Sequence, residues 1–106
     1  MNIVIHTRDD LTLPEALRAY AEQKIRRLDR HFDRIHDVRL ELDHAGKRSA
    51  EPAKTAELRV HVDGSILKGR VTAKELREAL DLVVDKVDEQ LRRRKERIKE
   101  HKGPTE

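Results

Sequence analysis

The residues of this chain best suited to chemistry are cations. Residues 90–102 read QLRRRKERIKEHK, in which seven of thirteen are Lys or Arg and two are Glu. Arg92, Arg93, Arg94 and Lys95 are consecutive, so on a helix they sweep a full turn without a balancing acid. A second group, Lys24, Arg26, Arg27 and Arg30, lies in the segment QKIRRLDRHF, and Lys68 and Arg70 add two cations between these groups. Clustered Lys and Arg attract phosphate without reading base sequence. A charged helix end is also the ordinary appearance of a solvated face, so the 92–95 run alone leaves both readings open.

Other chemistry finds little support. The chain has no Cys, which excludes disulfides and thiolate-held metals. Its four glycines, at 46, 64, 69 and 103, fall at turns and build no phosphate loop. Ser49 and Ser65 are not in a strand-to-helix elbow. His31 and His36 are five apart and share no helical face, while His6 and His61 meet only under a strand order that the sequence does not settle. The six histidines read as surface residues, and Asp9-Asp10 read as loop acids. No catalytic constellation, metal site or cofactor motif emerges, so the expectation is a protein that is not an enzyme.

The elements that must position the cations follow from periodicity. Residues 2–6 suggest a short strand with Ile3 and Ile5 on one face. Thr12-Leu13-Pro14-Glu15 reads as a capping box opening a helix over roughly 13–31, whose apolar stripe is Leu17, Tyr20, Ala21, Ile25, Leu28 and Phe32. Val38, Leu40 and Leu42 alternate with Arg39, Glu41 and Asp43 in a half-buried strand, and residues 44–54 read as a mobile loop. Ala56, Leu58, Val60 and Val62 form the clearest strand. Asp63-Gly64 favours a tight hairpin turn, and residues 65–71 return antiparallel, with Gly69 weakening that strand or marking a bulge. Thr72-Ala73-Lys74-Glu75 reads as a second capping box, opening a helix from 73 to about 101 with Leu76, Leu80, Val83, Val87, Leu91 and Ile98 on its apolar side.

The resulting order, β-α-β-β-β-α, predicts an α+β two-layer sandwich. A four-stranded mixed sheet carries both helices on one face, and the first two strands pair in parallel through a right-handed crossover. The opposite face, with Arg39, Glu41, Arg59 and His61, is polar and open to water or to a partner.

Composition bounds the rest. A chain of 106 residues with 42% charged and 36% hydrophobic residues supports one lean core. Its N-terminus has no signal-peptide pattern and no apolar run spans a membrane, so an intracellular, soluble protein is expected. Net charge is only +3, but it is unevenly spread: residues 24–34 carry +3, 46–70 carry +3 and 92–102 carry +5. A fold that gathers these segments has a strongly positive face. Tyr20 and Phe32 are the only aromatics, too few to stack single-stranded bases, which favours structured RNA recognised by shape and backbone.

The element order, QKIRRLDRHFDRI at the end of the first helix and ALDLVVDKVDEQLRRRKERIK in the second together resemble the ribosome hibernation promoting factor family. The resemblance, which extends to sigma-54 modulation proteins and ribosome-associated inhibitor A, covers essentially residues 1–102. It implies a double-stranded-RNA-binding-like (dsRBD-like) sandwich that occupies the small ribosomal subunit near the decoding centre. There it overlaps the paths of messenger and transfer RNA, and idle ribosomes of stressed or stationary cells are stored in the cytoplasm. Transferred position by position, it points to Lys24, Arg27, Lys86, Arg93, Lys95 and Arg97 as contacts to ribosomal RNA phosphates. Arg92, Arg94, Lys68 and Arg70 join them on charge alone. Glu89 stands where the family often has Arg, and residues 66–75 look about one residue longer than the family pattern, as a bulge in the fourth strand would make them.

Residues 1–102 are thus expected to form one ribosome-binding domain, with 103–106 a short tail. The lack of a dimerisation domain or long acidic tail resembles the short members, which favour ribosome dimers with a separate small modulation factor. Two other readings stay open: a generic structured-RNA binder, and a protein-interaction module using helix two, in which Leu91 and Ile98 have heptad spacing.

Overall fold

The computed structural model describes residues 1–8, 11–30, 32, 34–45 and 53–101, with the side chains of the last helix described as far as Glu96. The elements are β1 (Asn2–Thr7), α1 (Glu15–Arg26) with a 3-10 turn (Arg27–Arg30), β2 (Ile35–His44), β3 (Lys54–Val62), β4 (Ser65–Ala73) and α2 (Leu76–His101). The sheet order is β1-β2-β3-β4. β1 runs parallel to β2, and the other two pairings are antiparallel. This is the expected α+β sandwich.

Strict alternation makes the sheet two-faced. Val38, Leu40, Leu42, Ala56, Leu58, Val60 and Val62 are buried toward the helices, while Arg39, Arg59 and His61 point the other way and are exposed. Onto the apolar face pack Ala21, Ile25 and Leu28 from the first helix, and Ala79, Leu80, Val83, Val84, Val87 and Leu91 from α2. Tyr20 and Phe32 do not supply the centre of this core; aliphatic side chains do.

Both expected capping boxes are absent. α1 starts behind Pro14 with no side-chain cap, its first turn closed by Leu17 and Arg18 amides donating to the Pro14 carbonyl. Pro at this position already sets the backbone angle a helix start needs, which leaves Thr12 without a capping task. At the second site Thr72 and Ala73 remain in β4, paired with Thr55 and Lys54. The first α2 bond goes instead to the Glu75 carbonyl. Ladder pairing with β3 wins over local capping because β-branched Val71 and Thr72 suit a strand. The expected loop at 44–54 shrinks from both sides, since β2 reaches His44 and β3 begins at Lys54; residues 46–52 lie outside the described residues.

Gly69 is not a bulge. The β3–β4 register runs unbroken from Val62↔Ser65 to Lys54↔Ala73, so strand four carries no extra residue. The irregularity lies in β2, between Ile35 and Asp37. Gly69 is buried beneath α2, and a Cβ there would meet Val87 Cγ2 at 2.9 Å and Val83 Cγ2 at 3.6 Å. The glycine lets the helix lie close against the sheet. Gly69→Ala should therefore lower stability by about 1–3 kcal/mol through overpacking; urea unfolding should show a lower midpoint with an unchanged slope. The turn itself behaves as expected, with Gly64 at φ +71° closing the two-residue Asp63-Gly64 loop.

Candidate nucleic-acid interface

The two helices lie side by side and run in the same direction. Arg77 stacks over the Tyr20 ring at 4.5 Å, the Tyr20 hydroxyl donates to Asp81, and Lys24 reaches Asp81 at 3.0 Å and Asp85 at 3.6 Å. These contacts advance together along both helices, so both basic ends lie at the same end of the helical layer. Arg26, Arg27 and Arg30 are exposed there. Helix α2 stays anchored through Leu91, fully buried. Arg94 then donates to the carbonyl of Asp63 in the β3–β4 turn at 3.1 Å, so the following residues pass the end of the sheet.

Lys24, however, is committed within the fold. Burial disfavours its charge, but the Asp81 hydrogen bond and the charges of Asp85, Asp81 and Tyr20 outweigh it, so its pKa lies above the usual lysine value. Its partner Asp81 is likewise opposed by burial, yet hydrogen bonds from Tyr20 and Lys24, with the charges of Lys24 and Arg77, hold its carboxyl below the usual range. A carboxyl depressed by folding contributes stability that is fully present above its unfolded value, about 3.9. That contribution fades as pH falls through the lower folded value. Melting temperatures of the parent and Asp81→Asn should therefore differ at pH 6 and converge as the pH drops below 4. Lys24→Ala should lower stability while leaving the salt dependence of RNA binding nearly unchanged.

The remaining cations divide in two. On α2, Arg92 pairs with Asp88 at 2.9 Å and Arg93 with Glu89 at 2.7 Å, both one turn back. Lys95 is exposed and has no ion pair among the described residues. The side chain of Arg97 lies outside the described residues. Lys86 lies along the edge of β4, its ammonium 3.4 Å from the Arg70 carbonyl, and Gln90 donates to the Lys68 carbonyl at 3.0 Å. These two α2 side chains occupy outward carbonyls of an edge strand.

Lys68 and Arg70 do not join the helical cations. They flank Gly69, which faces α2, so their side chains emerge on the opposite face of the sheet. With Arg8, Arg39, Arg59 and others they line an open trough of about 490 Å³. The ten candidate positions therefore cannot form one surface. Charge counting along the chain missed this because side chains alternate between faces in a strand. The alternation of Arg39 and Arg59 with buried Leu and Val carries the signal that could have assigned Lys68 and Arg70 to that face.

The histidines do not meet as the sequence allowed. His6 pairs in register with Glu41 on β2, which separates it from β3. His61 instead lies against His36, ring centroids 5.6 Å apart. His36 and Arg34 bond the Asp63 carboxyl, and the His36 hydrogen bond is the main cause holding that acid below its usual pKa. Among the described residues no three His, Cys, Asp or Glu converge as a metal-binding group, and no helix is long and apolar enough to cross a membrane. The heptad seam through Leu91 is also gone, because that side chain is fully buried in the core.

Comparison with known proteins fits this geometry. The family model described as sigma 54 modulation protein / S30EA ribosomal protein matches residues 3–99. A ribosome hibernation promoting factor of Azotobacter vinelandii is 38% identical over 88 residues, covering 82% of this chain and 77% of its own length. The Escherichia coli K12 protein of the same name is 27% identical over 90% of this chain and 95% of its own. The N-terminal domain of Thermus thermophilus Protein Y superposes with a TM-score of 0.73 at 32% identity, over 88% of this chain and 98% of that one.

Proposed function

Because this chain belongs to the sigma 54 modulation protein / S30EA ribosomal protein family, we propose that it is a cytoplasmic ribosome hibernation factor. It binds the small ribosomal subunit near the decoding centre and blocks messenger and transfer RNA sterically, so translation is inhibited without any reaction being catalysed. The names of its relatives, ribosome hibernation promoting factors, support this reading. The observation that carries it is the parallel placement of the two helices, which brings Arg26, Arg27 and Arg30 to the same end as Arg92, Arg93 and Lys95. A surface of this kind holds phosphates through charge and through the guanidinium fork.

Among the described residues both aromatics are at least half-buried, which favours a backbone-shaped RNA target over stacked single-stranded bases. By resemblance, the bound state favours ribosome dimers and works with a separate modulation factor. Residues 1–102 would act as the ribosome-binding unit.

The test is co-sedimentation with purified small subunits across a salt series, with initiator transfer RNA as competitor. Salt-sensitive binding displaced by that transfer RNA is the expected result. Equal affinity for an arbitrary RNA duplex would replace the proposal with a generic RNA binder, and no binding at low salt would overturn it.

A further inference from the structure

We infer that the open face of the sheet is a second phosphate-binding surface, so that the protein holds two RNA segments, one against each layer. The naming of RNA as the anion rests on the proposed function; the existence of the surface rests on its geometry. In register across the sheet, Arg39 lies opposite Arg59 and Arg59 opposite Lys68. Three cations thus stand in one row over adjacent strands about 4.8 Å apart. Like charges directly opposite one another destabilise a sheet, so the row depends on the carboxylates beside it.

The acids beneath it act as pegs rather than as full neutralisation. Glu57 is 13% exposed and binds Arg59 at 3.2 Å and Lys68 at 3.4 Å. Glu41, 18% exposed, binds Arg39 at 3.1 Å and Arg8 at 3.7 Å. The cations above them are about half exposed. Arg39 spends its Nε on Glu41, which leaves both terminal nitrogens of its guanidinium as donors toward solvent. Arg70 has no side-chain ion pair among the described residues. Among the described residues the trough is lined by five cations and three acids, a surplus fixed in direction by its own carboxylates.

The lining also selects the partner. Every described trough residue is charged or polar, whereas a protein interface needs an apolar or aromatic centre. Among the described lining residues none is an aromatic that could stack bases. What fits is a phosphate backbone, bound through Arg and Lys without base readout. Helix-end cations and trough cations emerge from opposite sides of the same sheet, so one RNA segment cannot satisfy both groups.

The test uses the full chain with Arg39→Gln, Arg59→Gln and Lys68→Gln together. A second variant, Arg70→Gln, removes a cation that no ion pair depends on. Thermal unfolding verifies that each folds. Binding is measured across a salt series to small ribosomal subunits and, separately, to an RNA duplex of roughly 16 base pairs, the span of a compact duplex-binding domain. At low salt the parent should take two duplexes and the triple variant one. The salt slope for subunits should fall by about one unit per cation lost, including for Arg70→Gln. Parent stoichiometry and slope in both folded variants would overturn the second surface while leaving the proposed function intact. Two-duplex binding by the parent, lost in the triple variant, with no binding to subunits would overturn the proposed function and leave the second surface standing.

Discussion

Replacing Arg92, Arg93 and Lys95 together by Ala will weaken binding to the small ribosomal subunit on the order of a hundredfold near 0.1 M salt. Each phosphate contact contributes about 0.7–0.9 to the slope of log affinity against log salt. Three lost contacts thus remove more than two units of slope, and parent and variant should converge toward 1 M. The internal ion pairs do not compete seriously with this. Arg93–Glu89 is an exposed pair one turn apart, a class worth about 0.3–0.5 kcal/mol, and Arg92, itself exposed, pairs with the partly buried Asp88. A phosphate contact at 0.1 M salt, read from the same slope, is worth about 1 kcal/mol. Equilibrium sedimentation at several salt concentrations measures both quantities, and an unchanged slope would remove α2 from the interface.

Leu91→Ala is expected to have the largest effect on stability. Leu91 is fully buried and is the last core contact of α2 before the basic run. Truncating a buried Leu costs about 2–5 kcal/mol, depending on how far the site collapses. Against a total of about 5–15 kcal/mol for a small domain, that is a large fraction. Urea unfolding should show a strongly lowered midpoint with an unchanged slope. At temperatures where the variant stays folded, its salt slope for RNA should match the parent, because no phosphate-facing cation has been removed. Loss of salt dependence without loss of stability would mean that Leu91 positions the interface rather than the core.

These two variants separate what holds the helix from what the helix holds. Arg92 and Leu91 are neighbours in sequence, yet one is exposed and the other enters the core, since successive helical residues point about 100° apart. A lean core explains the sensitivity. Its fully buried large side chains are all aliphatic, with Phe32 only partly buried against them, so each deletion removes a sizeable share of a small cluster.

Much of the architecture was legible in the sequence. Alternation of Val38, Leu40 and Leu42, and of Ala56, Leu58, Val60 and Val62, determined two strands and their buried faces, because period-two patterning ties side-chain direction directly to position. Asp63-Gly64 determined the hairpin turn, since only a residue tolerant of positive φ suits it. The spacing of Leu80, Val83, Val87 and Leu91 determined the buried face of α2.

What the tertiary structure alone decided concerns relations between distant segments. Thr72 and Glu75 satisfy a local capping rule, but pairing of Thr72 with Thr55 on a neighbouring strand prevails. Gly69 looks locally like a weakness, yet its cause is Val87 on a helix eighteen residues away. Lys24 looks like one more phosphate ligand until Asp81 and Asp85 are placed beside it by helix packing. Lys68 and Arg70 carry the same charge as Arg92 and Arg93 but emerge on the other side of the sheet. Local pattern reports which way a side chain points relative to its own backbone. Only packing determines what it points at, because partner, distance and desolvation belong to pairs of residues far apart in the chain.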